Sequence, residues 1–176
     1  MTGNPRKIPV GISSCLLGEQ VRYDGGDKYN PLINTLLAEL FEFRPCCPEV
    51  AIGLGVPRDP IRLVRTDRGI RVKGVHNPAI DVTHKLQQYG NDRATEWADI
   101  CGYIFKARSP SCGMAGVRTW TAAGMQLGMD GSGAFAATLI SARPDLPVTD
   151  EVCLQDPLQR VRFIESVVAC YRRHSS

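Results

Sequence analysis

The sequence predicts an α/β fold: a single three-layer domain spanning residues 1–176, Rossmann-like with a mostly parallel sheet, plus a small β-hairpin. Three observations carry that prediction. Short apolar runs alternate with segments whose apolar residues recur at helical spacing, the order expected of strand–helix–strand units. Turn-rich cysteine motifs follow those runs, at the strand ends where open parallel sheets bind ligands. One charged stretch alternates apolar and charged residues on either side of a four-residue turn.

Lys7 to Ser13 reads as a short buried strand that ends on Ser13-Ser14-Cys15. Asn30 and Pro31 supply an N-cap and a first-turn proline for a helix over about 31–42, along which Leu32, Ile33, Leu36, Leu37 and Leu40 recur. A short strand should follow and run into Cys46-Cys47-Pro48. Arg62-Leu63-Val64-Arg65 and Ile70-Arg71-Val72-Lys73 flank Thr66-Asp67-Arg68-Gly69 as an exposed hairpin. Asp81 can cap a long helix through Asp99, after which Tyr103 to Ala107 reads as a buried strand ending at Ser109-Pro110-Ser111-Cys112-Gly113. Gly131-Ser132-Gly133 opens the alanine-rich segment Ala134 to Ala142. Asp156-Pro157 opens a final helix with Leu158, Val161, Ile164 and Val168 on one face.

Composition narrows the function. The net charge of +3 is far from the concentrated basic footprint of a dedicated nucleic-acid binder, so small or modestly anionic ligands are expected. Met1 to Lys7 is polar, and the apolar run after it is too short for a signal segment or a membrane span, which places the protein in the cytoplasm. Seven cysteines, an odd number, argue against a disulfide framework in such a compartment and for metal binding or thiolate chemistry. Cys101, Cys153 and Cys170 read as small buried hydrophobes, Cys170 on a helical stripe with Phe163 and Val167. His76, His84 and His174 are scattered, with no metal-ligand partner at helical spacing.

That leaves Cys15, Cys112 and the Cys46-Cys47 pair as candidate ligands delivered from three loops. Structural zinc sites usually announce themselves as close-spaced ligand pairs, and the chain contains no CxxC. Dispersed single thiolates suit an iron-sulfur cubane with three protein ligands, whose fourth iron stays free as a Lewis acid. Spacing alone leaves both metals open. Glu49, just after Cys47-Pro48, reads by itself first as a helix-dipole carboxylate, and Ser109 and Ser111 as turn caps. Gly131-Ser132-Gly133-Ala134-Phe135-Ala136 fits G-x-G-x-x-A, with Glu151 about 20 residues on. The segment before it is broken by Gly128 and ends in Asp130, so a dinucleotide fingerprint is disfavoured. Backbone amides at that helix start are instead expected to close part of the active site or to bind an anionic group of the substrate.

Taken together, Ser13-Ser14-Cys15-Leu16-Leu17-Gly18, Arg22-Tyr23-Asp24-Gly25, Cys47-Pro48-Glu49, Val56-Pro57-Arg58, Asp81-Val82-Thr83 and Ser109-Pro110-Ser111-Cys112-Gly113 add a stronger argument. In this order they resemble a family of small bacterial domains, long catalogued as a domain of unknown function, that includes the thiouracil desulfidases. The resemblance spans about residues 8–150. It implies a 4Fe-4S cluster held by Cys15, Cys47 and Cys112, with Cys47 rather than Cys46 as the residue before Pro-Glu. It further implies Glu49 as the acid/base residue, Ser109 as a hydroxyl that positions substrate or relays a proton, and a pocket shaped in part by Asp24. Ser13, Asp24, Gly131, Ser132 and Gly133 complete the expected substrate-binding set.

The expected reaction is non-redox removal of sulfur from thiouracil or a related thiopyrimidine, giving uracil and sulfide. A thiocarbonyl sulfur is a soft ligand, and an open iron that binds it draws electron density from the ring carbon. A carboxylate can then deprotonate water for attack on that carbon, contributing ~10²- to 10⁴-fold in rate. The expected partner is therefore a small thiolated pyrimidine, with neither a membrane nor a stable nucleic-acid complex. Two other readings compete: a non-catalytic sensing module holding zinc or a cluster, and an accessory protein acting on thiolated RNA.

Overall fold

The apolar run beginning at Ile8 forms β1 (Ile8–Ser13), whose last four residues are buried, as expected for a strand covered on both faces. It lies inside a four-stranded sheet in a computed structural model that describes residues 6–174. The sheet runs β2 (Phe41–Cys46), β1, β5 (Tyr103–Phe105), β8 (Val148–Asp150), and every neighbouring pair is parallel. Side-chain alternation along β5 sends Ile104 to one face and Tyr103 and Phe105 to the other.

Helices cover both faces, giving the expected three layers. On one side Val10, Ile12 and Ile104 meet Ile33 of α1 (Pro31–Thr35) and Phe163 and Val167 of α5 (Pro157–His174). On the other, Tyr103 and Phe105 pack with Phe135 and Leu139 of α4 (Ala134–Ala142) and with Tyr89 of α3 (Thr83–Glu96). The chain leaves β1 toward β2 and returns on the opposite side to β5, which creates a topological switch point beside the carboxyl end of β1.

The hairpin is present as β3 (Ile61–Thr66) and β4 (Gly69–Gly74), with Thr66 opposite Gly69. It is not a small appendage. β3 also pairs in parallel with β6 (Val117–Trp120), and β6 pairs antiparallel with β7 (Gln126–Gly131), making a second four-stranded sheet. Leu63, Val72 and Val117 of that sheet bury against Val82 and Leu86 of the α3 region. β6 and β7 escape pattern reading because their pairing slips register twice and β7 exposes Leu127 and Met129.

Several boundaries differ from expectation. The helix predicted over 31–42 is regular only to Thr35 and tightens into a 3-10 turn over Leu37–Glu39, freeing Phe41 to start β2. Asn30 does cap it, accepting from the Ile33 amide. α3 starts at Thr83 rather than Asp81: Asp81 accepts from both the amide and the hydroxyl of Thr83 and pairs with Arg71. It stops at Glu96 because Asp99 is drawn out to Arg44 in a bidentate pair. α5 buries Phe163, Val167 and Cys170, while Leu158 and Val161 face solvent, so its inner face is rotated from the one predicted. No described helix is long and apolar enough to cross a membrane, and Met1–Pro5 lie outside the described residues.

Candidate functional site

Three loops leave the carboxyl ends of β1, β2 and β5, and each brings one cysteine to the same cavity of about 710 Å³. Cys15 lies in a 3-10 turn, Ser14–Leu17, that directly continues β1. Cys47 is the N-cap of α2 (Pro48–Ala51), whose first-turn proline follows it. Cys112 lies in the Ser109–Gly113 turn after β5. Burial pushes the Cys15 thiol up to about 11, against the opposing pull of Lys106, and burial also lifts Cys47 and Cys112. Thiols held protonated in this way become ligands when a metal replaces the proton.

Cys46 also touches the cavity wall, but as the last residue of β2 it points into the core, where its sulfur lies 3.1 Å from the Tyr103 hydroxyl. Cys47, one residue on, is only half-buried and makes a long 3.7 Å contact to the Val21 carbonyl. The strand's alternation thus separates the two neighbouring thiols.

Glu49 stands in the first turn of α2 with both oxygens engaged. The Ser111 hydroxyl donates to Oε1 at 2.7 Å, and Arg58 donates through Nε at 2.9 Å and approaches through Nη2 at 2.8 Å on Oε2. Ser109 does something else: its oxygen accepts from the amides of Ser111 and Cys112, folding the turn that presents Cys112. It still faces the cavity with its own proton free to donate. Ser13 is buried beside Cys112 and accepts from the Lys106 amide. Glu151, the acidic residue of the disfavoured dinucleotide pattern, is pinned to Lys106 and to the Ala107 amide at 2.8 Å, bracing the start of the same loop.

The glycine-rich segment is placed differently from expectation. Gly131 ends β7, an antiparallel edge strand of the second sheet, so no strand–helix–strand nucleotide unit surrounds it. Gly131 and Ser132 line a separate cavity. The first amides of α4 are already used: Gly133 donates to the Gly113 carbonyl at 2.7 Å, Ala134 to Pro110 and Ala136 to Ser111. They close the site by holding the Cys112 loop and are not free for an anion. A Cβ at Gly133 would come within 2.4 Å of the Ser111 carbonyl carbon, so only glycine admits this approach. Asp24 lies in an exposed turn outside the cavity wall, where it pairs with Arg22, which does line it.

Cationic residues dominate the remaining wall, and apart from Arg22 and Arg58 none of them lies in a motif quoted for the family resemblance. Arg22, Lys28, Arg58, Arg62, Lys106, Arg108 and Arg118 line the cavity, and among the described residues Glu49 is its single acidic side chain. Arg108 adopts a left-handed backbone with φ of 61°, rare outside glycine and a mark of a constrained position. Arg62 stacks over Trp120. Lys28, Arg62, Lys106, Arg108 and Arg118 read in sequence only as dispersed cations, which are ordinarily a solvated surface. Cys153, read as a buried hydrophobe, is exposed, since its short 3-10 turn buries only Leu154.

The 2-thiouracil desulfurase family model matches residues 10–151. The uncharacterized protein YbbK of Bacillus subtilis (strain 168) is 31% identical over 138 residues, covering 74% of this chain and 89% of its own. The solved structure of the 4Fe-4S-dependent thiouracil desulfidase TudS superposes with a TM-score of 0.67 at 31% identity, covering 89% of this chain and 97% of that one. The family match spans most of the chain, and it includes all four cavity cysteines, Glu49 and Arg58. The chain belongs to the 2-thiouracil desulfurase family.

Proposed function

We propose that this protein is a desulfidase that hydrolyses the carbon–sulfur bond of a thiolated pyrimidine, with Cys15, Cys47 and Cys112 holding a 4Fe-4S cluster. One observation carries the reading: three thiols from three parallel-strand ends meet in a cavity that also holds a single, doubly anchored carboxylate. The donor set fits such a cluster, being all sulfur and three in number, with the fourth thiol of the wall turned toward Tyr103. When bound, the cluster would supply a soft Lewis acid for the substrate sulfur.

The chain's own residues account for the rest. Glu49 takes a proton from water, and the water oxygen attacks the thiocarbonyl carbon. Attack turns the carbon–sulfur double bond into a single bond; Glu49 returns its proton to that sulfur, the attacking oxygen gives its remaining proton to water as the carbonyl forms, and hydrosulfide leaves with the electron pair of the broken bond, so no electron is exchanged with a redox partner. Arg58 and Ser111 hold the carboxylate in one orientation, ready for the proton transfer. Ser109 has a hydroxyl proton available to a ring heteroatom. Ile61, Trp120 and Met129 provide apolar wall for a flat ring, and the cationic residues favour a phosphorylated substrate over the free base.

Anaerobic purification should give a brown protein with about four irons per chain that releases sulfide from thiouracil or its nucleotide. Protein that carries no iron after anaerobic reconstitution and releases no sulfide from any thiopyrimidine would overturn the reading.

A further inference from the structure

At the amino end of β5, away from the cavity, a second group of metal-binding side chains converges. Cys170 and His174 stand four residues apart on α5 and so share a face. Cys101 stands two residues before the first residue of β5, its backbone fixed by a 2.8 Å hydrogen bond to the Pro9 carbonyl. Gly102 brings the two elements together: a Cβ there would meet Val167 Cγ2 at 2.7 Å, so the helix can approach only a glycine. Cys170 follows Val167 by one turn and lands against Cys101.

The donor atoms of Cys101, Cys170 and His174 all lie within 4.8 Å of one another, and Cys101 Sγ is 3.7 Å from His174 Nδ1. With zinc bonds of ~2.3 Å to sulfur and ~2.0 Å to nitrogen, a tetrahedral centre separates a sulfur from a nitrogen by about 3.5 Å. The Cys101–His174 pair therefore stands close to the separation that such an ion imposes. We propose that Cys101, Cys170 and His174 form a second metal site, for zinc or a similar thiophilic divalent cation, which clamps the end of α5 to the sheet.

The surroundings suit that role. Two thiolates neutralise a divalent charge, which a site built on two buried cysteines requires. The loop entering Cys101 is fixed from two sides, by Arg143 donating to the carbonyls of Trp97 and Ile100 and by the Arg44–Asp99 pair. His174 is exposed, so an ion has a route in and a fourth position can take water. From Cys101 to Lys106 the chain crosses the sheet, roughly 16 Å at strand rise, so this site is separate from the cysteines of the cavity. The inference stands independently of the desulfidase reading.

Zinc chloride competition against a chromophoric chelator tests it on the anaerobically purified, cluster-bearing protein, with cobalt chloride as the spectroscopic probe. One zinc per chain should bind beyond the irons, and cobalt should give thiolate charge-transfer bands with intense tetrahedral ligand-field bands. His174→Ala, at an exposed helix end, should fold normally, keep its iron and desulfidase activity within twofold, and bind zinc at least tenfold more weakly. Cys170→Ala should do the same and abolish the charge-transfer intensity from its sulfur. Wild-type protein that takes up no zinc at micromolar concentration would overturn the proposal. So would zinc binding that survives both substitutions and disappears in Cys112→Ala.

Discussion

The Ser111 hydroxyl donates a 2.7 Å hydrogen bond to Glu49, joining residues 62 positions apart. Ser111 is fully buried and Arg58 holds the other carboxylate oxygen, so Glu49 cannot turn without leaving two donors unpaired. The bond also ties the loop that carries Cys112 to the helix that Cys47 caps. Any motion of one candidate ligand loop is thereby felt by the carboxylate and by the other loop.

Glu49→Ala should retain a full complement of iron while losing roughly 10²- to 10⁴-fold in turnover. Ser111→Ala should also retain iron, with kcat lower by about tenfold, the loss of one hydrogen bond to a charged group, and KM nearly unchanged. Iron analysis beside steady-state kinetics separates the two roles. Normal activity in Glu49→Ala would remove it as the acid/base residue.

Adjacent thiols should behave differently. Cys47→Ala is expected to lose iron, whereas Cys46→Ala should keep it, because Cys46 is committed to Tyr103. Burial raises the Cys46 thiol to about 11, above its ordinary 9.0. In the cluster-free chain that raised group contributes stability fully present below pH 9, and the contribution is lost as pH rises toward 11, since the unfolded thiol ionises first. Urea denaturation at pH 8, 9.5 and 10.5 under reducing conditions should show a shallower alkaline decline for Cys46→Ala than for wild type.

A phosphorylated substrate should depend on the cationic wall in a way that a free base does not. Arg108→Ala, Lys28→Ala and Arg118→Ala are expected to raise KM for a thiopyrimidine nucleotide several-fold while leaving KM for the base within twofold. Added salt should raise KM for the nucleotide in wild type and less in the variants. Equal effects on both substrates would assign these side chains to folding of the wall.

Sequence pattern revealed the parallel sheet because Ile8–Ser13 and Tyr103–Phe105 are buried on both faces and therefore read as continuous apolar runs. β6 and β7 stayed hidden because one of their faces is solvated and their register slips. For the site, the placement of Cys15, Cys47 and Cys112 at strand ends followed from turn chemistry. Ser111 and Arg58 could not be assigned that way, since their roles exist only where separate loops meet. His174, read as having no ligand partner at helical spacing, does have one in Cys170, four residues before it on α5, while the third member, Cys101, is far away in sequence and reaches the same face only through the fold.

Gly133 and Ser132 offer the sharpest contrast, because both were expected to touch substrate and the structure gives them different positions. Ser132 borders a cavity on the far side of α4's first turn, so Ser132→Ala should leave iron content, kcat and KM within twofold of wild type. At Gly133 a methyl group would lie 2.4 to 2.7 Å from backbone atoms of Ser111 and Cys112, which have no flexible side chain to swing aside. Accommodating it means displacing the turn by a substantial fraction of an ångström or breaking the 2.7 Å bond from the Gly133 amide to Gly113. Overpacking of this kind costs about 1–3 kcal/mol, and the displacement falls directly on Cys112. Gly133→Ala should therefore lose iron as well as stability, measured by elemental analysis and thermal denaturation on anaerobic protein. Retained iron with a selectively raised KM would instead make Gly133 a substrate contact.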